Sequence, residues 1–312
     1  MPPELVVGLE VADDAAVYAV APDMAIVQTL DFFPPIVDDA YASGQIGAAN
    51  SMSDVYAMGG EVLFALNIAA WPEDVPVGQL EQLFAGAVDK VREAGGVVAG
   101  GHTIIDREPK FGQSVTGRVD PARMLLKSRL LPGDELWLTK PIGTGILTTA
   151  HKRGTIAPED LASVIASMSA LNRSAAQAAV AAGLHAGTDI TGFGLAGHAH
   201  EMAERSGVEV RIDAAAVPLL PGAFDHAEAG VDFGGMQRNR EHFLDGGLVR
   251  FEGLDEATTR LMLDPQTSGG LLVGVPAAHR ESFEQERNAR DVQAWRIGEV
   301  REGRGVVITA GG

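Results

Sequence analysis

Two hydrophobic rhythms alternate along the chain. Runs of consecutive or alternating apolar residues mark strands, and apolar residues at i, i+3 and i+4 mark helices. Ala16 to Val20 and Met24 to Asp31 read as two strands joined by a turn at Pro22-Asp23. Asp38 and Asp39 can cap a helix that runs to Met58, where Gly59-Gly60 stops it. Glu61 to Ala69 reads as a strand. Leu80, Leu83, Phe84, Ala87, Val88 and Val91 have helical spacing, and Gly95-Gly96 ends that helix. Val97 to Ala99 reads as a short buried strand that delivers Gly100-Gly101-His102, and Gln113 to Val119 reads as another strand.

The segment from Asp120 to Pro132 is charged and rich in turn residues, ending in Leu131-Pro132-Gly133-Asp134. It places a domain boundary there, giving domains over 1–120 and 130–312. Beyond it, Glu135 to Thr139 reads as a strand. A helix starts near Pro158, and its core face holds Leu161, Val164, Ile165, Met168 and Leu171. Thr191 to Arg205 reads as a helix. Val208 to Ile212, Leu271 to Val275 and Val306 to Thr309 read as strands. The expected class is α+β, two domains of unequal size, each with a mixed sheet and helices. No short-period repeat occurs.

Composition narrows the function. The formal charge is −18, from 42 acidic and 24 basic residues. That argues against nucleic acid or an anionic membrane as partner, since both need a basic surface. An anionic small ligand remains open if metal ions bridge it to the protein. The sequence holds no cysteine, so disulfides, thiolate metal sites and a cysteine nucleophile within it are excluded. No signal peptide and no apolar run of membrane length is visible, so a cytoplasmic protein is expected.

Three segments set aspartates beside small residues or tight turns: Asp13-Asp14, Asn50 to Asp54, and Thr188-Asp189-Ile190-Thr191-Gly192-Phe193-Gly194. Asp31 follows an apolar run. Each alone also fits an ordinary turn. Asn50 and Asp54 are four apart and share one helix face. A buried polar stripe needs a partner, which a loop or a metal could supply. No phosphate-binding glycine loop of the usual kind occurs. Aspartates from separate elements could hold magnesium against a triphosphate, since the ion is hard and keeps phosphates in its shell. Asp189 comes from the second half, so such a site would lie between domains.

Other motifs read more blandly. Gly100-Gly101 permits close backbone approach to a ligand, with His102 beside it, or simply ends a strand. Gly192 to Gly197 matches the spacing of a dinucleotide fingerprint, but the residues ahead of it make a poor central strand. His185, His198 and His200 lack acidic or thiolate companions at metal-ligand spacing. Ser268, within Asp264-Pro265-Gln266-Thr267-Ser268-Gly269-Gly270, has no local base and reads as structural.

Together these segments resemble the selenophosphate synthetase (selenide, water dikinase) family. The resemblance rests on Asp13 to Tyr18, Thr29 to Phe33, Asn50 to Gly60, Gly100-Gly101-His102, Leu138 to Pro141, Thr188 to His198, Gly234-Gly235 with Arg238-Asn239, and Asp264 to Gly270. It runs in order over almost the whole chain. The wider superfamily includes aminoimidazole ribonucleotide synthetase, thiamine-monophosphate kinase and a hydrogenase maturation protein. The resemblance implies that ATP, selenide and water give selenophosphate, phosphate and AMP. It also implies magnesium, usually potassium, and a homodimer with a central barrel built from the N-terminal domains.

Residue by residue, Asp14, Asp54 and Asp189 match the magnesium ligands. Asp13, Asp31, Asp54, Gly100, Gly101 and His102 match nucleotide contacts. Val11 and Ala12 stand where a Thr-Arg pair can occur, which leaves backbone contacts there. The family also carries an N-terminal glycine-rich loop with a catalytic cysteine or selenocysteine and a lysine three residues on. Neither has a counterpart among these residues, and none of the five lysines sits in that context. A false start after a UGA codon, or a short form that binds nucleotide and dimerises without turnover, would account for this. Another ATP-dependent member of the superfamily is the alternative within enzymes.

Overall fold

The computed structural model describes residues 2–311, which form two compact units. The first runs to Met124 and includes Met168–Arg173; the second holds Leu125–Ser167 and the residues from Ser174 onward.

In the first unit, β1 (Leu5–Val7), β2 (Ala16–Ala21), β3 (Met24–Phe33), β4 (Glu61–Trp71), β5 (Val97–Ile105) and β6 (Lys110–Val119) form one sheet, in the order β1-β2-β3-β6-β4-β5. Only β4 and β5 pair in parallel. Helix α1 (Ala40–Ala57) lies on β3 and β6, and α2 (Val77–Glu93) packs against α1. Asp39 caps α1 as its sequence predicts, its side chain accepting from Ala42 N–H at 2.7 Å.

Alternation sets the two faces of the sheet. On β3, Ala25, Val27 and Thr29 are buried under α1, whereas Met24, Leu30 and Phe32 face outward. The sequence places a short buried strand at 97–99; instead β5 runs to Ile105 through both glycines, and all its residues but Val98 are exposed. It is an edge strand, so its far side lacks a neighbour. Gly100 and Gly101, at φ of +148° and +156°, let it continue where a side chain would be strained.

The second unit carries β7 (Glu135–Leu138), β8 (Ala186–Asp189), β9 (Glu209–Asp213), β10 (Val249–Glu252), β11 (Leu271–Val275), β12 (Trp295–Arg301) and β13 (Gly305–Thr309), ordered β10-β13-β9-β12-β7-β11-β8. Its helices are α3 (Thr144–Lys152), α4 (Pro158–Ser169, whose last two residues join the first unit), α5 (Arg173–Ala181), α6 (Gly194–Ser206), α7 (Ala223–Glu228), α8 (Gly234–Asn239), α9 (Glu256–Leu263) and α10 (Arg280–Ala289). The strand-like run before Gly192 is β8, at the sheet edge, and three strands separate it from β9. Strands β8 and β9 are not neighbours, so the glycines do not lie in a βαβ unit of adjacent strands as a dinucleotide fingerprint requires.

Helix α1 is a weak helix by composition, with two glycines and three serines. Tertiary packing must hold it, and thirteen of its eighteen residues are buried. Its contact with α2 is backbone against backbone. A Cβ on Gly44 would lie 1.9 Å from the Leu83 carbonyl oxygen, and one on Gly86 would lie 2.1 Å from that of Tyr41. Gly86→Ala is therefore expected to destabilise the protein by about 1–3 kcal/mol through overpacking. Gly78→Ala, on the same helix with open space around it, should be neutral or stabilising by up to about 1 kcal/mol. Denaturant midpoints of the two variants check this.

Candidate metal and nucleotide site

The polar face anticipated on α1 is turned toward β3. Asn50 Nδ2 donates to Asp31 Oδ2 at 2.6 Å, and Thr29 Oγ1 donates to Asp54 Oδ2. Four helix residues advance about 6 Å and two strand residues about 6.7 Å. Positions 50 and 54 can thus seat over positions 31 and 29, with helix and strand running in opposite directions. The last turn of α1 is also pinned by Asn172, whose Nδ2 donates to Ser53 Oγ at 2.9 Å. Both of those side chains are buried.

Burial raises the pKa of Asp31, and the hydrogen bond from Asn50 only partly offsets it. A cation beside that carboxylate would therefore be favoured. The Asp13-Asp14 turn, where Asp14 N–H donates to Asp13 Oδ1 at 3.0 Å, immediately precedes β2. Ala16 pairs with Gln28, so continuing that antiparallel register by two or three residues brings the turn level with Leu30 and Asp31. That register sets Asp13 and Asp14 toward the end of β3 that carries Asp31.

These donors are all oxygens, which suits a hard divalent ion. Among the described residues no cluster of three or more His, Cys, Asp or Glu could hold a metal by itself.

The remaining candidates are spread more widely. Gly101 lies on the same rung of the sheet as Asp31, through the pairings Asp31–Gln113, Gln113–Asn67 and Asn67–Gly101. Three strand spacings make that about 14 Å. His102 belongs to the next rung, with Phe32, Gly112 and Ile68, and faces the opposite side of the sheet. Val11 is exposed and bridges back to Gly8, while Ala12 is half-buried. Asp189 is buried in the second unit, at the end of β8.

Two residues escaped the sequence reading. Gln113 Nε2 donates to Asn67 Oδ1 at 2.9 Å beneath α1, with Gln113 fully buried. Asn67 is the lone amide within the apolar run of β4, and that was the available signal.

In the second unit the motifs interlock around the loop after Asp189. Asn239 Nδ2 donates to the carbonyls of Gly192 and Leu263, each at 3.0 Å. Gln266 N–H donates to Thr191 O at 2.9 Å, and Ile190 N–H to Gly270 O at 2.9 Å. Ser268 is buried at φ +50°, and its carbonyl accepts from Lys140 Nζ at 2.8 Å. His185 is exposed and His198 buried.

The same motif caps α3. Gln266 Oε1 accepts from the N–H groups of Gly143 and Thr144 at 3.0 and 3.1 Å, and Asp264 Oδ2 from Gly145 N–H at 3.1 Å. Burial pushes the Asp264 carboxyl up to about 8, against hydrogen bonds from Gln266 and the backbone that lower it. Between the ordinary carboxylate range and that value, the folded state holds a proton that the unfolded state has released. Stability attributable to this group therefore falls as pH rises from about 4 to about 8. Asp264→Asn should remove that slope, so its stability relative to the parent protein rises across the window. Urea denaturation at pH 5, 6, 7 and 8 measures it.

Sequence comparison agrees with this architecture. Residues 12–119 match the AIR synthase related protein N-terminal domain, and residues 132–311 match its C-terminal domain. The chain is 47% identical over 305 residues to a selenide, water dikinase of Pelobacter propionicus, covering 96% of this chain and 86% of the relative. It is 44% identical over 306 residues to one of Myxococcus xanthus, covering 97% and 86%. Among solved structures, thiamine-monophosphate kinase from Stenotrophomonas maltophilia superposes with a TM-score of 0.73 at 20% identity, covering 98% of this chain and 92% of that one. Hydrogenase maturation protein HypE in complex with ATP superposes with a TM-score of 0.68 at 20% identity, covering 99% and 87%. Those two likenesses show the shared fold, and the closer sequences go further: the chain belongs to the AIR synthase related proteins and, within them, to the selenide, water dikinases.

Proposed function

We propose that this protein forms selenophosphate from selenide, ATP and water, releasing AMP and phosphate. The observation that carries the reading is the identity of 44–47% with selenide, water dikinases over nearly the whole chain. The seating of Asn50 and Asp54 against Asp31 and Thr29 supports it locally. Asp14, Asp54 and Asp189 are the proposed magnesium ligands. Asp13, Asp31, Asp54 and Gly100 to His102 are the proposed nucleotide contacts, with backbone contacts at Val11 and Ala12. Bound magnesium would neutralise the phosphate oxygens during phosphoryl transfer. The chain's own part is to hold these carboxylates apart from one another and out of bulk water. Potassium is proposed as a second cation, and the cytoplasm as the compartment.

A second reading is a nucleotide-binding form without turnover. Phosphorus NMR with ATP, magnesium and selenide separates the two. AMP with selenophosphate is expected. Bound but intact ATP would leave the second reading, and ADP with a different product would point to another ATP-dependent enzyme of the superfamily. Calorimetry of Asp54→Asn should show magnesium-dependent ATP affinity reduced by about a hundredfold, or about 2.7 kcal/mol. Unchanged affinity rules out its ligand role.

A homodimer through the outer face of the first sheet is part of the proposal. That face exposes Tyr18, Leu30, Phe32, Leu66 and Ile104, with Leu30 54% and Phe32 49% accessible. Large exposed apolar patches mark interaction surfaces. Light scattering should give twice the chain mass for the parent protein and the chain mass for Phe32→Glu.

A further inference from the structure

A buried charged group lies behind the loop that follows Asp189. Lys127 and His198 are each under a tenth exposed. Lys127 Nζ lies 3.2 Å from Glu201 Oε2, and His198 Nδ1 lies 3.2 Å from the same oxygen. On the far side of the ring, Thr191 N–H points at His198 Nε2 from 3.1 Å, with Thr191 Oγ1 at 3.3 Å. A backbone N–H can only donate, so Nε2 must accept. The ring proton then sits on Nδ1, facing Glu201. Burial alone would raise the Glu201 carboxyl, but its contact with His198 and the Lys127 charge outweigh that and hold it below the usual carboxylate range.

Charges are rarely buried without a task, since removing them from water is costly. This set could have been replaced by apolar residues if it only filled the core behind α6. Instead it fixes one tautomer and aims one acceptor at one amide, two residues beyond Asp189. Two other ties on this loop, from Asn239 to Gly192 and from Gln266 to Thr191, hold carbonyl groups, and Gly270 O accepts from Ile190 N–H. His198 holds an N–H, which those two do not engage.

We infer that Lys127, Glu201 and His198 form a positioning relay that fixes the Asp189–Thr191 loop for divalent-metal binding. This rests on the proposed ligand role of Asp189. His198 is a positioning residue: it touches Thr191, not the metal. Glutamine is its conservative replacement, because its amide offers one acceptor for Thr191 N–H and one donor for Glu201. Leucine offers neither.

The test uses Mn2+ as probe, followed by its EPR signal on the full chain with ATP present. Hydrogen exchange of the peptide spanning 188–194 is measured in parallel. Asp189→Asn should weaken Mn2+ binding. His198→Leu should weaken it by about tenfold or more, the usual range for groups that orient metal ligands, and should speed exchange in the loop. His198→Gln should restore most of both. If Asp189→Asn weakens binding but His198→Leu does not, the relay is overturned and the ligand role of Asp189 stands. If His198→Leu and His198→Gln are equally impaired, the ring only fills space and the relay is again overturned. If Asp189→Asn binds Mn2+ as the parent does, the ligand role falls and the relay falls with it.

Discussion

Burying a polar helix face against a sheet is the constraint on which the first unit depends. Asn50 and Asp54 cannot be left unsatisfied beneath α1, because each lost partner costs about 1–3 kcal/mol and more for a charge. The strand meets them with Asp31 and Thr29 at the spacing that the helix rise demands. That match fixes the register of α1 on β3. Ser51 tightens it further, accepting from Gln113 N–H at 3.1 Å while lying 3.1 Å from Asp31 O. The glycine crossing with α2 then follows, since a helix so placed leaves no room for side chains at Gly44 and Gly86. Site geometry and core packing are one arrangement here, and neither can shift alone.

The second unit solves a similar problem with different materials. Its loop after Asp189 has little regular structure, and its backbone groups need partners. Asn239 and the Gln266 turn, both distant in sequence, and the nearby His198 supply them. The turn at Asp264 to Gly270 also consumes the first N–H groups of α3. A helix N-terminus filled in this way has no donors left for a phosphate. The motif most like a nucleophile or an anion site is thus a bracket, and the loop it braces carries the candidate ligand.

Much of this was legible in the sequence, and the reasons for the rest are specific. The Asn50–Asp54 face and the Asp39 cap depend on spacings within one helix, which the sequence displays directly. The rung from Asp31 through Gln113 and Asn67 to Gly101 depends on strand register, which no local pattern states. Gly100-Gly101 reads as a strand exit because glycines usually end strands; here their dihedral freedom carries an edge strand onward. Helices α3 and α5 went unseen because the first is rich in threonine and the second in alanine, and neither shows the apolar stripe that marks α2. Asn172 is the hardest case, since it joins the first unit from a position 119 residues away from Ser53.

The proposed chemistry gives the acidic character of the chain a meaning. Carboxylates gathered near Asp31 would repel a triphosphate, and at −18 the protein as a whole does little to attract one. Divalent ions reverse the local sign. On this reading metal and nucleotide must bind with strong mutual dependence, each raising the affinity of the other by the same factor. A site whose proposed ligands are aspartates is selective in a particular sense: on this reading it favours the metal complex of the nucleotide over the free anion. The cost is that every carboxylate must be held in place before the metal arrives, against its own desolvation. The hydrogen bonds from Asn50 and Thr29 perform that task in the first unit, and the loop braced by Asn239, Gln266 and His198 is suited to perform it for Asp189.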